Sequence, residues 1–137
     1  MTAIAYTAAQ IKEVFPQNCE VISVKLAEAV TVGLPAYQTT TGTFGIADAN
    51  ASGKQQFRGV FMQAGGAGDT VRLLKRGHVY GFTVASINCD AVVYLADNVG
   101  EYADANGTMN VKCGIVTALT DGTRVVYIES DWSTVWA

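Results

Sequence analysis

Asp48-Ala49-Asn50-Ala51-Ser52-Gly53 carries the first half of a calcium loop, with oxygen donors at positions one, three and five and glycine at six. A hard cation also needs a bidentate carboxylate at position twelve, and that position falls on Gly59. No helical pattern flanks the loop, so an Asx-type turn is the expectation and no metal site is predicted. Gln63-Ala64-Gly65-Gly66-Ala67-Gly68 has the glycine content of a phosphate cradle. No Lys-Ser/Thr pair follows it, and a strand pattern rather than a helix N-terminus comes next, so the dipole that holds an anion is missing. His78 is the one histidine, and any Ser-His-Asp or Cys-His arrangement would have to use it. No Gly-x-Ser-x-Gly elbow accompanies it, and the carboxylates fall in no recognisable acid–base frame. Arg72, Lys75 and Arg76 form a small basic group, too small and too poor in aromatic neighbours for a nucleic-acid footprint. It suits an acidic partner surface. The expectation is therefore a non-enzyme without cofactor.

The totals agree with a binding or structural role. Half of the 137 residues are hydrophobic and 15% are charged, which describes one globular domain with a real core. The net charge of −3 argues against a nucleic-acid partner. Residues 1–86 carry seven Lys/Arg against five Asp/Glu and residues 87–137 two against seven, so +2 in the first part faces −5 in the second. Such asymmetry suits complementary faces on neighbouring subunits, or ordinary scatter of solvated charge. No apolar run approaches the roughly 20 residues of a membrane span, and no basic-then-apolar leader opens the chain. Cys19, Cys89 and Cys113 have no metal-like spacing and read as small buried hydrophobes in a reduced compartment.

Short apolar stretches recur every 8 to 12 residues with turn chemistry between them, which predicts an all-β sandwich or barrel-like domain of about ten short strands. Strands are expected at Val21–Leu26, with Val30-Thr31-Val32 as a continuation, and at Ala36–Gln38, Phe44–Ile46, Phe57–Gln63 and Thr70–Leu74. Val79–Val84 and Ala91–Leu95 follow, then Val111–Thr117 and Thr123–Glu129, the last two joined by the hairpin signal Asp121-Gly122. Residues 1–20 differ. Thr7 and Gln10 have capping-box spacing, and Ile11, Val14 and Phe15 mark one face of a two-turn helix that Pro16 stops. This N-terminal arm with a short helix (1–20) precedes the β domain (21–137). A helix that short must dock, on its own domain or on a neighbour.

The β domain reads as two related β units, about 32–74 and 90–128. Ala47-Asp48-Ala49-Asn50 returns as Ala103-Asp104-Ala105-Asn106, offset by 56. Tyr37 is matched by Tyr94 at 57, Gly59-Val60 by Gly114-Ile115 at 55, and Gly68 with Val71 by Gly122 with Val125 at 54. The offset falls by one at each step, as when a second copy loses one residue from each connection.

Val30-Thr31-Val32-Gly33-Leu34-Pro35-Ala36-Tyr37 is similar to a Val-x-x-Gly-x-Pro-Val-Tyr phrase that recurs in the small capsid decoration, or head-cement, proteins of tailed bacteriophages. The resemblance continues through Gly45-Ile46-Ala47-Asp48-Ala49-Asn50, Gly59-Val60 and Asp131-Trp132, covering roughly residues 25–132. The arm matches no motif of that family and the loops depart freely. The resemblance implies a β-rich structural virion protein, made in the host cytoplasm and bound to the outer capsid surface. It further implies a homo-oligomer, commonly a trimer, with the major capsid protein as partner and neither nucleic acid nor membrane. Ile4, Tyr6, Ile11 and Phe15 on the arm, with Arg72, Lys75 and Arg76, are the expected capsid or subunit contacts; equally, the arm could cover the domain's own core. The alternative is a carbohydrate- or receptor-binding module of a phage tail, which would use Tyr80, Tyr102, Trp132 and Trp136.

Overall fold

The computed structural model describes residues 3–132, and Trp136 lies outside them. It is an all-β chain. Its strands are β1 (Ala3–Ile4), β2 (Lys12–Glu13), β3 (Glu20–Lys25), β4 (Pro35–Gln38), β5 (Phe44–Ile46) and β6 (Gly59–Phe61). They continue as β7 (Thr70–Tyr80), β8 (Val92–Leu95), β9 (Tyr102–Ala103), β10 (Lys112–Ala118) and β11 (Arg124–Glu129). All eleven join one open antiparallel sheet that folds into a sandwich-like body, in the order β1-β9-β8-β10-β11-β7-β6-β4-β5, with β2 and β3 added to β7.

The eleven-residue β7 is the spine. Leu74 pairs with Val21 of β3 and with Val60 of β6, so those strands occupy opposite edges. Arg76 likewise lies between Glu20 of β3 and Glu129 of β11. One edge therefore holds β3 and then β2, and the other holds β6 and then β11. The change-over falls at Gly77, whose φ of +144° favours glycine and whose Cβ would strike Cys19. Glycine there lets one strand run through where two separate pieces were expected.

Splaying at this point divides the core. Val60 and Leu74 face a large cluster with Val79, Val93, Leu95, Tyr102, Val116, Val126 and Ile128. Their neighbours Phe61 and Leu73 face a smaller one with Val24, Leu26, Val30 and Phe44. Alternate residues of a strand point to opposite faces, so β6 is buried on both sides and reads as an unbroken apolar run.

The helix expected in the arm is absent. Ala8–Gln10 makes one 3₁₀ turn, the Thr7 side chain caps nothing, and Pro16–Asn18 makes a second such turn. Between them the chain is extended: Lys12 and Glu13 pair with Tyr80 and Val79, and Val14 N–H donates to His78 O at 2.9 Å; before the first turn, Thr7 N–H donates to Gly81 O at 2.9 Å. A two-turn helix carries its full nucleation cost for few hydrogen bonds, whereas the free edge of β7 offers ready-made partners. The pairing wins. Val30-Thr31-Val32 is also not a strand; Val30 makes only a bridge to Gly65.

The two sequence units have matching connections. β5 pairs with β4, β4 with β6 and β6 with β7; correspondingly β9 pairs with β8, β8 with β10 and β10 with β11. Pro35↔Val60 and Ala36↔Gly59 correspond to Val92↔Ile115 and Val93↔Gly114 at the sequence offsets, but the other pairs do not. Val60 pairs with Leu74 whereas Ile115 pairs with Tyr127, one residue from the offset position, so Val60 faces the core and Ile115 the outer face. Gly59 and Gly114 also share a reason for being glycine: a Cβ would meet Leu74 O at the first and Tyr127 O at the second.

Candidate functional site

The seven candidate contact residues separate into three groups. Ile4 and Ile11 lie in the chain's own large core, and Tyr6 packs against it. Ile4 reaches it because β1 pairs with β9, opposite Tyr102. Ile11 reaches it beside Gly33 and Gly81, whose missing side chains leave room for Ile11 and for the Tyr6 ring. Tyr6 stands 5.8 Å from both Phe82 and Tyr102, edge-on to the latter, and burial raises its phenol pKa above the ordinary value.

Arg72 and Lys75 are held. Arg72 Nη2 meets Glu13 Oε1 at 2.8 Å, and Lys75 Nζ meets Glu20 Oε1 at 2.8 Å while lying 4.6 Å from the Trp132 ring centre. The hydrogen bond and charge of Lys75 hold the Glu20 carboxyl below its usual range. Both pairs tie β7 to the arm and to β3, so these side chains serve the fold first.

Phe15 and Arg76 remain outside. Phe15 is 44% exposed and packs edge-on against His78 at 5.4 Å; Arg76 is exposed between Glu20 and Glu129. His78 packs in turn on Tyr127 at 4.9 Å. Sequence reading missed Tyr127, although Val125-Val126-Tyr127-Ile128 does not alternate and so signals apolar residues on both faces of β11.

Elsewhere the chemistry-bearing residues are structural. Asp48 Oδ1 accepts the N–H of Asn50 at 2.9 Å, an Asx turn. Among the described residues no three His, Cys, Asp or Glu are placed to hold a metal. Cys113 is buried, which pushes its thiol well above the ordinary pKa; Cys19 is half-buried; Cys89 is exposed, contrary to the expectation of three buried thiols, because it sits in the turn before β8. Of the aromatic residues a sugar could stack on, Tyr102 is fully buried and donates its hydroxyl to Gly33 O at 2.7 Å. Trp132 packs on Phe44 at 6.1 Å and donates its Nε1–H to Arg58 O at 3.0 Å. Arg58 is itself buried, which lowers its pKa, and donates to Asp131 O at 2.6 Å. The segment at Asp131-Trp132 is thereby clamped to β6.

A concavity of about 700 Å³ opens beside β10 and β11 and includes Phe57, Arg76, Val92, Ile115, Glu129 and Asp131 in its walls. It holds acids and bases on apolar ground, and Cys and His are missing from its lining. Compared with known protein families, characterised proteins and solved structures, the chain finds no match.

Proposed function

We propose that this chain is a non-enzymatic capsid decoration protein that binds the outer surface of a tailed-phage head and stabilises it, acting as a homo-oligomer, with a trimer as the form the family resemblance implies. The observation that carries the reading is where the resembling residues lie. Gly33 makes the turn into β4 with φ +99°, Pro35–Gln38 is β4, Gly45-Ile46 belongs to β5, and Gly59-Val60 opens β6. These three strands are neighbours in the sheet. The phrases thus fall on one contiguous module whose backbone geometry needs those residue types, which supports a shared fold plan. The common order of strand neighbours in β4–β7 and β8–β11 is the support for an origin of the domain in a duplicated unit, with the register shared at β4–β6 and β8–β10.

The arm's interior position favours Phe15 and Arg76 over Ile4 and Ile11 as outward contacts. The tail-module reading is the weaker one, since Tyr102 is unavailable for stacking. The test is co-sedimentation of purified protein with undecorated heads of the same virus. Saturable binding at a symmetry-related stoichiometry is expected. A protein that stays in the supernatant at every concentration refutes the decoration reading.

A further inference from the structure

Val92, Ile115, Tyr127 and His78 are successive cross-strand partners on β8, β10, β11 and β7. Directly opposed residues stand on the same face, here the one away from the large core. All four are half-buried, whereas the adjacent Val93, Val116, Val126 and Val79 are fully buried on the other face. Phe15 lengthens the row beyond β7 and is one of two large apolar side chains that stand exposed among the described residues. The contacts Phe15–His78 and His78–Tyr127 fix the rings before any partner arrives. In the next row Arg76 faces Glu129. Among the described residues neither forms an ion pair, while Arg72 and Lys75 are already paired.

We propose that this face binds a second copy of the same chain through a two-fold contact, its axis lying between β7 and β11 and parallel to them. Rotation about that axis exchanges the two strands. Arg76 of each copy then meets Glu129 of the other, entering the concavity that Glu129 and Asp131 line. His78 meets Tyr127, and Phe15 meets Ile115. Arg76 and Glu129 find opposite charges and Phe15 and Ile115 apolar partners, while Glu20 keeps Lys75 of its own chain, which is the self-complementarity an isologous contact requires. The same opposition that makes Arg76 and Glu129 cross-strand neighbours within one chain makes the patch complementary to itself under this rotation. Four strands about 4.8 Å apart with two or three outward residues along each make a patch of roughly 15–20 Å on a side, about 300–400 Å² per copy in projection. Stable interfaces cover about 800 Å² per partner, so the contact is weak and shows at high concentration. It does not rest on the decoration reading. Assembled mass is an even multiple of the protomer: a dimer, or a hexamer where a three-fold contact coexists.

The test is sedimentation equilibrium of the full chain from micromolar to millimolar concentration. Wild type should shift toward doubled mass. Glu129→Arg or Arg76→Glu alone sets like charges together twice and should weaken association about tenfold or more. The double variant R76E/E129R should return to within about threefold of wild type. Phe15→Ala should weaken association with an unchanged far-UV spectrum, which keeps the test open if a charge variant folds poorly. A constant monomer mass, an isolated trimer, or a double variant no better than the singles overturns the proposal.

Discussion

Replacing Ile11 and Phe15 separately by alanine asks whether the arm is a detachable contact or part of the core. Ile11 is 8% exposed and Phe15 44%. Truncating a buried isoleucine costs about 2–5 kcal/mol, the spread reflecting how far the surroundings collapse into the space. Collapse is restricted here, because Ile11 lies against the backbone at Gly81 and beside Gly33, neither of which has a side chain to move inward. The cost should fall in the upper part of the range, at about 3–4 kcal/mol, against a total stability of about 5–15 kcal/mol. For a chain of this length that lowers the melting midpoint by about 10–15 °C. Phe15→Ala removes a half-exposed ring whose neighbour His78 keeps its other contact with Tyr127, so its midpoint should move by no more than about 3 °C. Thermal and urea unfolding at low micromolar concentration, followed by circular dichroism, measure both. An Ile11→Ala protein that melts with wild type would refute the placement of the arm in the core.

Gly59→Ala and Gly114→Ala should each destabilise by about 1–3 kcal/mol or more, since a Cβ at either meets a carbonyl oxygen of the next strand; urea midpoints report it. Tyr102→Phe leaves Gly33 O without its buried donor and should cost about 1–3 kcal/mol with little change in the far-UV spectrum. Burial raises the folded-state pKa of Cys113 and Tyr102, so the folded chain holds those protons more tightly than the unfolded one. Stability from this source is complete below the open-chain values of about 8.5 for a thiol and 10 for a phenol, and falls as pH rises beyond them. Cys113→Ala should remove the earlier part of that alkaline loss, and unfolding curves between pH 7 and 11 would show whether it does.

The β class was legible because its signals are local. Asp121-Gly122 makes the β10–β11 turn, with Gly122 at φ +89°, and Gly68 makes the corresponding turn before β7 at φ +88°. The arm was misread because Ile11, Val14 and Phe15 satisfy a helical period while Lys12, Glu13 and Val14 between them pair with β7, more than sixty residues away. Tertiary hydrogen bonding overrode a weak local preference. The continuity of β7 was hidden by Gly77, which reads as a break unless Cys19 is known to press against it. The outer row was hidden for a related reason. Phe15, His78, Tyr127 and Ile115 come from four strands or their flanks, and only the pairing registers bring them side by side.

β1 pairs Ala3 with Ala103 and Ile4 with Tyr102, and Tyr102 in turn donates to Gly33. A ribosome makes the chain from the other end of that pairing. Ala3 and Ile4 leave the exit tunnel about a hundred residues before Tyr102 and Ala103, and until then β1 has no strand to pair with. Stepwise folding during synthesis is therefore closed to this topology, and loops so long make the final closure slow. Chains that stop short of Ala103 would leave β1 unpaired and exposed to proteolysis. Ile4 is buried only after the chain has been made through Tyr102 and Ala103.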